Sequence, residues 1–385
     1  MTTSRKVDAP LEQLLKCGQS YWLDNLTRHM IAGGELQDWI QNRGLRGITA
    51  NPTTFRGALT SDDYDRQIES LTYEGRSTKE IYETLLIQDV QQACDLLRGV
   101  YVETDGFDGY VSLEVSPHMA NDTEATLHEA RIYVKRVNRP NLLVKVPATE
   151  AGIPAIEQLL FEGIGVNITL LFSIPSYQAV IEAYISALER RVTAHQPLHT
   201  VVSVASFFVS RIDVLVDQLL QRRIPLGNGG RQTLAAQLQG RAAVANAKMA
   251  YRTFRQVCGS DRWARLAVKG ARVQRPLWAS TGTKNPAYRD VVYVESLVGR
   301  DTVNTMPEAT LRAFADHGQV VPDAVEAESE QADVVMQELE KTGVNFNCVT
   351  WQLEHEGVQK FVDAYDAAIA ALDKKRHHFH LGRTA

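Results

Sequence analysis

The chain has 385 residues, of which 44% are hydrophobic and 23% charged, and its 46 acidic and 41 basic residues give a net charge of −5. This composition is that of a globular protein with a large core, and it excludes an intrinsically disordered chain. A nucleic-acid-binding protein usually carries a basic excess, which this chain lacks, so nucleic acid is not an expected partner. A local basic pocket for a small anion remains compatible with the weak overall acidity.

The cysteines and the N-terminal segment indicate the compartment. Cys17, Cys94, Cys258 and Cys348 lie far apart, without metal-ligand spacing or a disulfide-rich pattern, which favours a reducing cytoplasm. The first 15 residues mix charged and apolar side chains and lack the apolar core of a signal peptide. No stretch approaches the roughly 20 apolar residues of a membrane span, so we expect a cytoplasmic protein without a membrane partner.

Eight short apolar or β-branched runs predict strands, and amphipathic helical segments separate them. In chain order the predicted strands are Tyr21–Asn25, Gly47–Asn51, Gly109–Val115, Leu142–Val146, Val166–Leu171, Thr200–Ser206, Pro276–Ser280 and Val303–Pro307. The last run has the weakest pattern, and a loop is its alternative.

Two apolar stripes at helical spacing predict core-facing helices to which we assign no chemistry. The first comprises Val180, Ile181, Tyr184, Ile185 and Leu188. The second comprises Val358, Phe361, Val362, Tyr365, Ile369 and Leu372. Two long connections, Thr53–Asp108 and Phe207–Arg275, each predict two or more helices. Glycine and proline interrupt the second connection, at Pro225, Gly227, Gly229 and Gly230.

Alternation of strands and helices indicates an α/β protein with a parallel sheet, because parallel neighbours need crossover connections. Eight such units predict a (β/α)₈ TIM barrel with helical insertions and additional C-terminal helices. A doubly wound open sheet is the alternative, but no G-x-G-x-x-G fingerprint follows the first strand. We expect one barrel domain over residues 1–385, with a core at about 20–310, a helical extension at about 311–376 and a short tail.

Polar residues alternate with apolar ones in the third, fourth and fifth strands, and the face that meets the outer helices must be apolar. Glu114, Lys145, Asn167 and Thr169 should therefore point into the barrel, near the carboxyl ends of their strands. Active sites of such barrels lie at this rim.

An inward lysine is the sharpest of these signals, because lysine is almost never fully buried unless it is paired or used. Burial lowers the pKa of a lysine, and a neutral amine can attack a carbonyl to form a Schiff base. An ion pair between Lys145 and Glu114 is the structural alternative. In a catalytic site, Glu114 would move protons near the lysine.

Other polar residues at strand ends allow two interpretations. Asp24 is a candidate catalytic carboxylate or a cap for the following helix. Asn51, directly before Pro52, is typical of a turn or cap. Asn167 and Thr169 would satisfy each other inside the barrel if they had no other role.

A candidate phosphate site follows the sixth and seventh strands. Arg211 comes shortly after the sixth strand, and its structural alternative is a surface ion pair with Asp213 or Asp217. The segment Ser280–Lys284 offers small residues, backbone N–H groups and a cation, at a position where barrels often bind phosphate. The histidines of residues 377–380 follow basic residues and indicate a solvated tail rather than a metal site.

Six segments, in the expected order, make the chain resemble the transaldolase family, and in particular its longer bacterial members. They are Gly47–Phe55 (GITANPTTF), Val111–Val115 (VSLEV), Leu143–Thr149 (LVKVPAT), Gly165–Ser173 (GVNITLLFS), Ser206–Asp213 (SFFVSRID) and Ala279–Lys284 (ASTGTK). The resemblance extends from about Trp22 to Pro307 and is specific as a combination. It implies a class I aldolase-like barrel that transfers a dihydroxyacetone unit between sugar phosphates in the pentose phosphate pathway. It also implies that no metal or organic cofactor is needed.

The resemblance also implies a role for each site residue. Lys145 forms the Schiff base and Asp24 is the acid/base for carbon–carbon cleavage, while Glu114 and Thr169 activate the water of imine formation and hydrolysis. The substrate-binding residues that it implies are Asn51, Asn167, Ser206, Arg211, Ser280 and Lys284. Shorter members carry an arginine soon after the seventh strand, where this chain has Thr281, Gly282, Thr283 and Lys284.

Two other functions remain open. One is an aldolase that releases free dihydroxyacetone, although Glu114 favours transfer. The other is a non-catalytic phosphosugar-binding barrel, which would normally have lost the lysine or the acid. The sequence leaves the preferred substrates and the choice between monomer and homodimer undecided.

Overall fold

Eight parallel strands hydrogen-bond side by side in chain order, and the first pairs with the last, so the sheet closes into a barrel. The computed structural model describes residues 9–223 and 229–381. The strands are β1 (Gln19–Leu23), β2 (Gly47–Thr49), β3 (Tyr110–Glu114), β4 (Leu142–Pro147), β5 (Val166–Leu171), β6 (Ser203–Phe208), β7 (Arg275–Ala279) and β8 (Thr302–Met306). The predicted (β/α)₈ barrel is confirmed, and the open doubly wound sheet is excluded.

Helices surround the barrel and fill the long connections. The helices up to β5 are α1 (Ala9–Lys16), α2 (Arg28–Ala32), α3 (Glu35–Asp38), α4 (Pro52–Ala58), α5 (Asp65–Tyr73), α6 (Thr78–Leu96), α7 (Arg98–Glu103), α8 (Thr123–Val137) and α9 (Gly152–Phe161). Those after β5 are α10 (Ile174–Thr193), α11 (Ser210–Arg223), α12 (Gly229–Gln237), α13 (Ala242–Cys258), α14 (Asp261–Ala267), α15 (Val292–Glu295), α16 (Glu308–His317), α17 (Ser329–Lys341) and α18 (Phe346–Leu381). A π-helical turn covers Trp39–Arg43, and short 3₁₀ turns cover Asp62–Tyr64 and Pro117–Met119.

The weakest predicted strand is a full member of the barrel. All five residues of β8 are paired with β1, from Thr302 opposite Gln19 to Met306 opposite Leu23. The buried Gln19 side-chain amide donates to the Thr302 hydroxyl over 2.9 Å. Polar residues such as Gln19 and Thr302, which contact each other across the two strands, weaken the apolar pattern of both. The strand β1 begins two residues earlier than predicted, at the polar Gln19, and it ends before Asp24.

The predicted helical connections are confirmed. The apolar stripe after the fifth strand lies on α10, where all five of its residues are buried. Thr53–Asp108 contains several helices, and so does Phe207–Arg275. Pro225 and Gly227, two of the predicted interruptions, lie outside the described residues, and α12 begins at Gly229.

The strict alternation predicted for the fifth strand ends at Leu170. This residue has a φ of +62°, in the left-handed region, and the pairing of β5 with β6 shifts register between Ile168 and Leu171. Such a bulge turns a side chain away from the direction that the pleat gives it. Leu170 packs against Gly357 of α18, where a Cβ atom would lie only 2.9 Å from the leucine Cδ2. The glycine thus lets α18 approach the carboxyl ends of the strands.

The 36-residue helix α18 also packs against α4, α5, α6 and α11. It continues through Leu381, so the histidine-containing segment that we expected to be a solvated tail is helical up to that residue. Lys375 Nζ donates to Asp65 Oδ1 over 2.6 Å, which anchors the last turns to α5. Among the helices of the described residues, none is long and apolar enough to cross a bilayer.

Candidate active site

A cavity of about 280 Å³ opens at the carboxyl ends of the strands. Its walls include the predicted site residues Asp24, Asn51, Lys145, Thr169, Ser206, Arg211, Ser280 and Lys284. They also include Thr49, Phe208, Thr305 and Phe361, to which the sequence analysis gave no role in the site. Residues far apart in the sequence therefore meet at the rim, as parallel barrel strands require.

Three predicted residues stand side by side inside the barrel. Glu114 is paired in register with Lys145, and Lys145 with Asn167. Lys145 Nζ donates to Glu114 Oε2 over 3.2 Å, and the two side chains are only 5% and 3% exposed. The ion pair that we considered as an alternative is present. Because Lys145 also borders the cavity, the pair is compatible with a catalytic lysine.

Asn167 lies beneath the cavity wall rather than on it. Its side-chain oxygen Oδ1 accepts from Ser206 Oγ over 2.6 Å, and its Nδ2 donates to Ser112 Oγ over 2.9 Å. The interpretation that Asn167 and Thr169 satisfy each other is therefore wrong. Asn167 instead orients Ser206, which does line the cavity.

Two buried oxygens beside the lysine have no hydrogen-bond partner among the described residues: Glu114 Oε1 and Thr169 Oγ1. Leaving such a group unsatisfied costs about 1–3 kcal/mol, so proteins rarely keep it without a use. Glu114 contacts Lys145 directly, and Thr169 lines the same cavity as Lys145. This arrangement suits the handling of a water or substrate hydroxyl.

Asp24 forms the opposite wall together with two donors from β2 and the turn after it. Thr49 Oγ1 donates to Asp24 Oδ1 over 3.0 Å, and Asn51 Nδ2 donates to the same oxygen over 3.1 Å. Thr49 also contacts Thr305, with 2.7 Å between the hydroxyl oxygens. Because both donors bind Oδ1, Oδ2 is the oxygen that can exchange a proton with a substrate.

The alternative role as a helix cap is wrong for Asp24 and confirmed for Asn51. Thr27 caps α2, so Asp24 is not a helix cap. Asn51 does cap α4, since its Oδ1 accepts from the backbone N–H groups of Thr53 and Thr54. The same side chain points its amide donor at Asp24, so one residue starts a helix and orients the carboxylate.

Burial governs the acidity of both carboxyl groups. It raises the pKa of Glu114 and of Asp24, while the charge of Lys145 acts in the opposite direction on each. A carboxylate with a raised pKa is a stronger base than an exposed one. The site thus holds two bases around one amine.

The other end of the cavity is cationic. Arg211 and Lys284 both line it, and the buried Arg211 Nη1 has no hydrogen-bond partner among the residues described. The guanidinium carbon lies 5.0 Å from the centroid of the Phe208 ring. A guanidinium nitrogen without a hydrogen-bond partner is well suited to an anionic ligand.

The predicted alternative for Arg211, an ion pair with Asp213 or Asp217, is wrong. Asp213 accepts from the Ala243 N–H over 2.8 Å and from the Tyr293 hydroxyl over 2.9 Å. Asp217 accepts from the Gly240 N–H and from the Tyr288 hydroxyl. Neither carboxylate lines the cavity, and neither forms an ion pair with Arg211.

Ser280 and Lys284 belong to the loop after β7. Ser280 has a φ of +56°, a conformation that a non-glycine residue adopts only when its surroundings hold it there. Its carbonyl oxygen accepts from the Ser210 N–H over 3.1 Å, and the two hydroxyl oxygens lie 3.0 Å apart. These contacts tie the loop to the first residue of α11, next to Arg211.

The C-terminal helix contributes a wall that the sequence did not reveal. Phe361 of α18 lines the cavity, and the centroid of its ring lies 5.5 Å from Lys145 Nζ. Its position in an apolar stripe predicted an ordinary core residue. Thr49, by contrast, had a signal: it shares a strand face with Asn51, two residues later. Thr305 had no such signal, because the residues two positions away on its strand face, Val303 and Pro307, are apolar.

Comparison with known proteins gives a consistent result over nearly the whole chain. Residues 21–372 match the model of the family described as transaldolase/fructose-6-phosphate aldolase. The chain is 44% identical over 371 residues to "Transaldolase 2" of Nostoc sp.. The aligned region covers 95% of this chain and 97% of the relative.

Two other relatives are similar to the same extent. "Transaldolase" of Thermobifida fusca is 45% identical over 93% of this chain and 96% of its own length. "Transaldolase" of Mycobacterium tuberculosis is 46% identical over 91% of this chain and 93% of its own length. The chain therefore belongs to the transaldolase/fructose-6-phosphate aldolase family.

Proposed function

We propose that the protein is a transaldolase, which moves a dihydroxyacetone unit from a ketose phosphate to an aldose phosphate through a Schiff base on Lys145. Sedoheptulose 7-phosphate and glyceraldehyde 3-phosphate give erythrose 4-phosphate and fructose 6-phosphate in the non-oxidative pentose phosphate pathway. One observation carries the proposal: the amine of a buried lysine borders a cavity that has a carboxylate on one side and unpaired cationic charge on another. Family membership supports the same activity.

The first step is imine formation. The Lys145 amine must lose its extra proton before it can attack the ketose carbonyl, and Glu114 lies at hydrogen-bond distance to accept that proton. Attack on the carbonyl carbon and loss of one water give the protonated imine. Thr169 Oγ1 and Glu114 Oε1, both buried and unpartnered among the described residues, are the groups we assign to this water.

Cleavage follows on the other side of the cavity. Asp24 takes the proton of the hydroxyl on C4, the bond between C3 and C4 breaks, and its electrons move to the imine nitrogen. The aldose leaves, and the three-carbon fragment stays on Lys145 as an enamine. A second aldose then accepts the C3 carbon while Asp24 returns its proton, and hydrolysis of the new imine by water releases the product ketose.

The remaining residues bind substrate in this proposal. Asn51 and Ser206 position the dihydroxyacetone hydroxyls, and Asn167 acts through Ser206, to which it is hydrogen-bonded. Arg211, Lys284 and Ser280 bind the phosphate at the cationic end. The N-terminus of α11, which begins one residue before Arg211, adds the positive end of a helix dipole to this region.

The direct test is product analysis. The purified protein is incubated with sedoheptulose 7-phosphate and glyceraldehyde 3-phosphate, and with each substrate alone. We expect fructose 6-phosphate and erythrose 4-phosphate only when both substrates are present. Free dihydroxyacetone as the main product would instead identify an aldolase, and binding without turnover would identify a non-catalytic phosphosugar-binding barrel.

Replacement of Arg211 by alanine tests the phosphate site. A charged hydrogen bond contributes about 1.5–3 kcal/mol, so we expect KM for glyceraldehyde 3-phosphate to rise by about 10- to 100-fold with the donor at saturation. KM for unphosphorylated glyceraldehyde should change far less. Arg28→Ala, which breaks a largely buried ion pair with Asp89 away from the cavity, is the matched control. Equal changes for the two aldehydes would show that Arg211 is structural.

The pH dependence of the reaction tests the environment of Asp24. The hydrogen bond from Thr49 favours the ionised carboxylate and so lowers the pKa of Asp24. Thr49→Val removes this donor, the pKa rises, and the base stays protonated to a higher pH. The acidic limb of kcat/KM should therefore move to higher pH. Thr305→Val, which removes a partner of Thr49 but no donor to Asp24, should move the limb less. If the acidic limb of kcat/KM does not move in Thr49→Val, the ionisation of Asp24 does not determine the position of that limb.

We also propose a cytoplasmic location. The four cysteines, Cys17, Cys94, Cys258 and Cys348, are all free thiols, which is typical of a reducing compartment.

A further inference from the structure

Two phenol–carboxylate pairs join the elements that carry the two cations of the cavity. Tyr293 donates to Asp213 Oδ2 over 2.9 Å, and Tyr288 donates to Asp217 Oδ2 over 2.7 Å. Both aspartates belong to α11, four residues apart and thus on one face of the helix. Both tyrosines follow Lys284 in the chain, Tyr288 in the same loop and Tyr293 in α15. The pairs therefore connect the helix of Arg211 to the segment of Lys284.

The second oxygen of each aspartate is also held. Asp213 Oδ1 accepts from the Ala243 N–H over 2.8 Å, and Asp217 Oδ1 accepts from the Gly240 N–H over 3.0 Å. Gly240 has a φ of +70°, and a Cβ atom there would come within 2.8 Å of the Tyr288 ring. A glycine is thus required for the close approach of this tyrosine. Gly240 in the turn before α13 and Ala243 in the first turn of α13 complete the support of the two carboxylates.

The opposite end of the Lys284 loop is fixed independently. The buried Thr281 hydroxyl donates to Asn304 Oδ1 of β8 over 2.9 Å, and Ser280 is bound to Ser210. Lys284 lies between these contacts and the two tyrosines. It lines the substrate cavity and also a second cavity, of about 360 Å³, whose walls include Asp213, Asp217, Tyr288 and Tyr293. The two tyrosine–aspartate contacts thus line the same second cavity as Lys284.

We propose that Tyr293–Asp213 and Tyr288–Asp217 position Arg211 relative to Lys284, so that both cations converge on one phosphate. Arg211 Nη1 has no hydrogen-bond partner among the described residues, so the place of the guanidinium depends on the place of α11 and on the contact with the Phe208 ring. The four residues are positioning residues, because they act through the two cations. The inference rests on the proposed function, for which it explains how a chain of net charge −5 presents two neighbouring cations to an anionic substrate.

The experiment compares Tyr293→Phe with the unmodified protein. The substitution keeps the ring and removes only the hydroxyl that Asp213 accepts from. With sedoheptulose 7-phosphate at saturation, we expect KM for glyceraldehyde 3-phosphate to rise about tenfold, because small displacements of binding groups have large effects. We expect kcat with this acceptor, and KM for glyceraldehyde, to stay within about twofold. Tyr288→Phe should act in the same direction.

A matched control and a double variant separate this role from a general structural one. Tyr251→Phe removes the partly buried hydroxyl that donates to the Arg300 carbonyl oxygen, and it should leave both KM values unchanged. If Tyr293 acts through Arg211, adding Tyr293→Phe to Arg211→Ala should raise KM for the phosphorylated acceptor much less than it does in the unmodified protein.

Three results would overturn the inference: an equal change of KM for both aldehydes, additive effects in the double variant, or no change in folded Tyr293→Phe and Tyr288→Phe. Should Tyr293→Phe fail to fold, Tyr288→Phe decides the question by the same measurements. Absence of transfer by the unmodified protein would instead refute the proposed function.

Discussion

Replacement of Lys145 by arginine should abolish transfer and also the borohydride trapping of fructose 6-phosphate. Arginine keeps a positive charge beside Glu114 but has no amine that can form an imine. Without the covalent intermediate the reaction loses its electron sink, so we expect no activity above background. Trapping is measured by borohydride reduction followed by mass mapping of peptides, which in the unmodified protein should place the adduct on Lys145.

Lys248→Arg is the matched control for this experiment. Lys248 is half-buried, its pKa is lowered by burial, and its amino group donates to the Ala327 carbonyl oxygen outside the substrate cavity. Activity and trapping should persist in this variant. An adduct that remains in Lys145→Arg, on another lysine, would show that Lys145 is not the Schiff-base residue.

Replacement of Asp24 by asparagine should block cleavage while imine formation continues. Asparagine has nearly the same shape and can still accept the hydrogen bonds of Thr49 and Asn51, but it cannot take up the proton of the C4 hydroxyl. A positioned general base contributes about 10²–10⁴-fold, and kcat should fall by this factor. With fructose 6-phosphate as the donor, the uncleaved sugar should then accumulate on Lys145. The intact mass of the protein after borohydride reduction should show a six-carbon adduct.

Asp122→Asn is the control for this substitution, because Asp122 caps α8 away from the cavity. Circular dichroism of both variants checks that they are folded. A three-carbon adduct that forms at the normal rate in Asp24→Asn would mean that another residue breaks the carbon–carbon bond.

The inward direction of Lys145, Glu114 and Thr169 could be predicted because each lies in a strand with one apolar and one polar face. That pattern depends only on neighbouring residues and on the closed barrel. The rim position of Arg211 and Lys284 was predicted on another ground, since each follows a strand of the barrel. The sequence pattern does not show what each side chain contacts, so the roles assigned to the site residues stay predictions. The division of the chain into a core and an extension also stays a prediction.

Two features could not be read from the pattern. Leu170 looks like an ordinary alternating strand residue, yet the bulge in β5 turns it toward α18, which is a consequence of packing between distant segments. Phe361 belongs to an apolar helical stripe, and only the path of α18 across the barrel brings its ring to Lys145. Periodicity identifies a buried face but does not identify the surface that buries it.

The position of α18 has a consequence for the order in which the protein is made. Synthesis from the N-terminus delivers Asp24, Lys145 and all eight strands before Phe346, where this helix begins. A chain still on the ribosome can thus possess the Lys145 amine while the Phe361 wall of its pocket is missing. We therefore expect catalytic competence to arise only after α18 has left the ribosomal tunnel. A chain shortened before Phe346 would retain the lysine but leave it open to solvent and to unselected cellular carbonyl compounds.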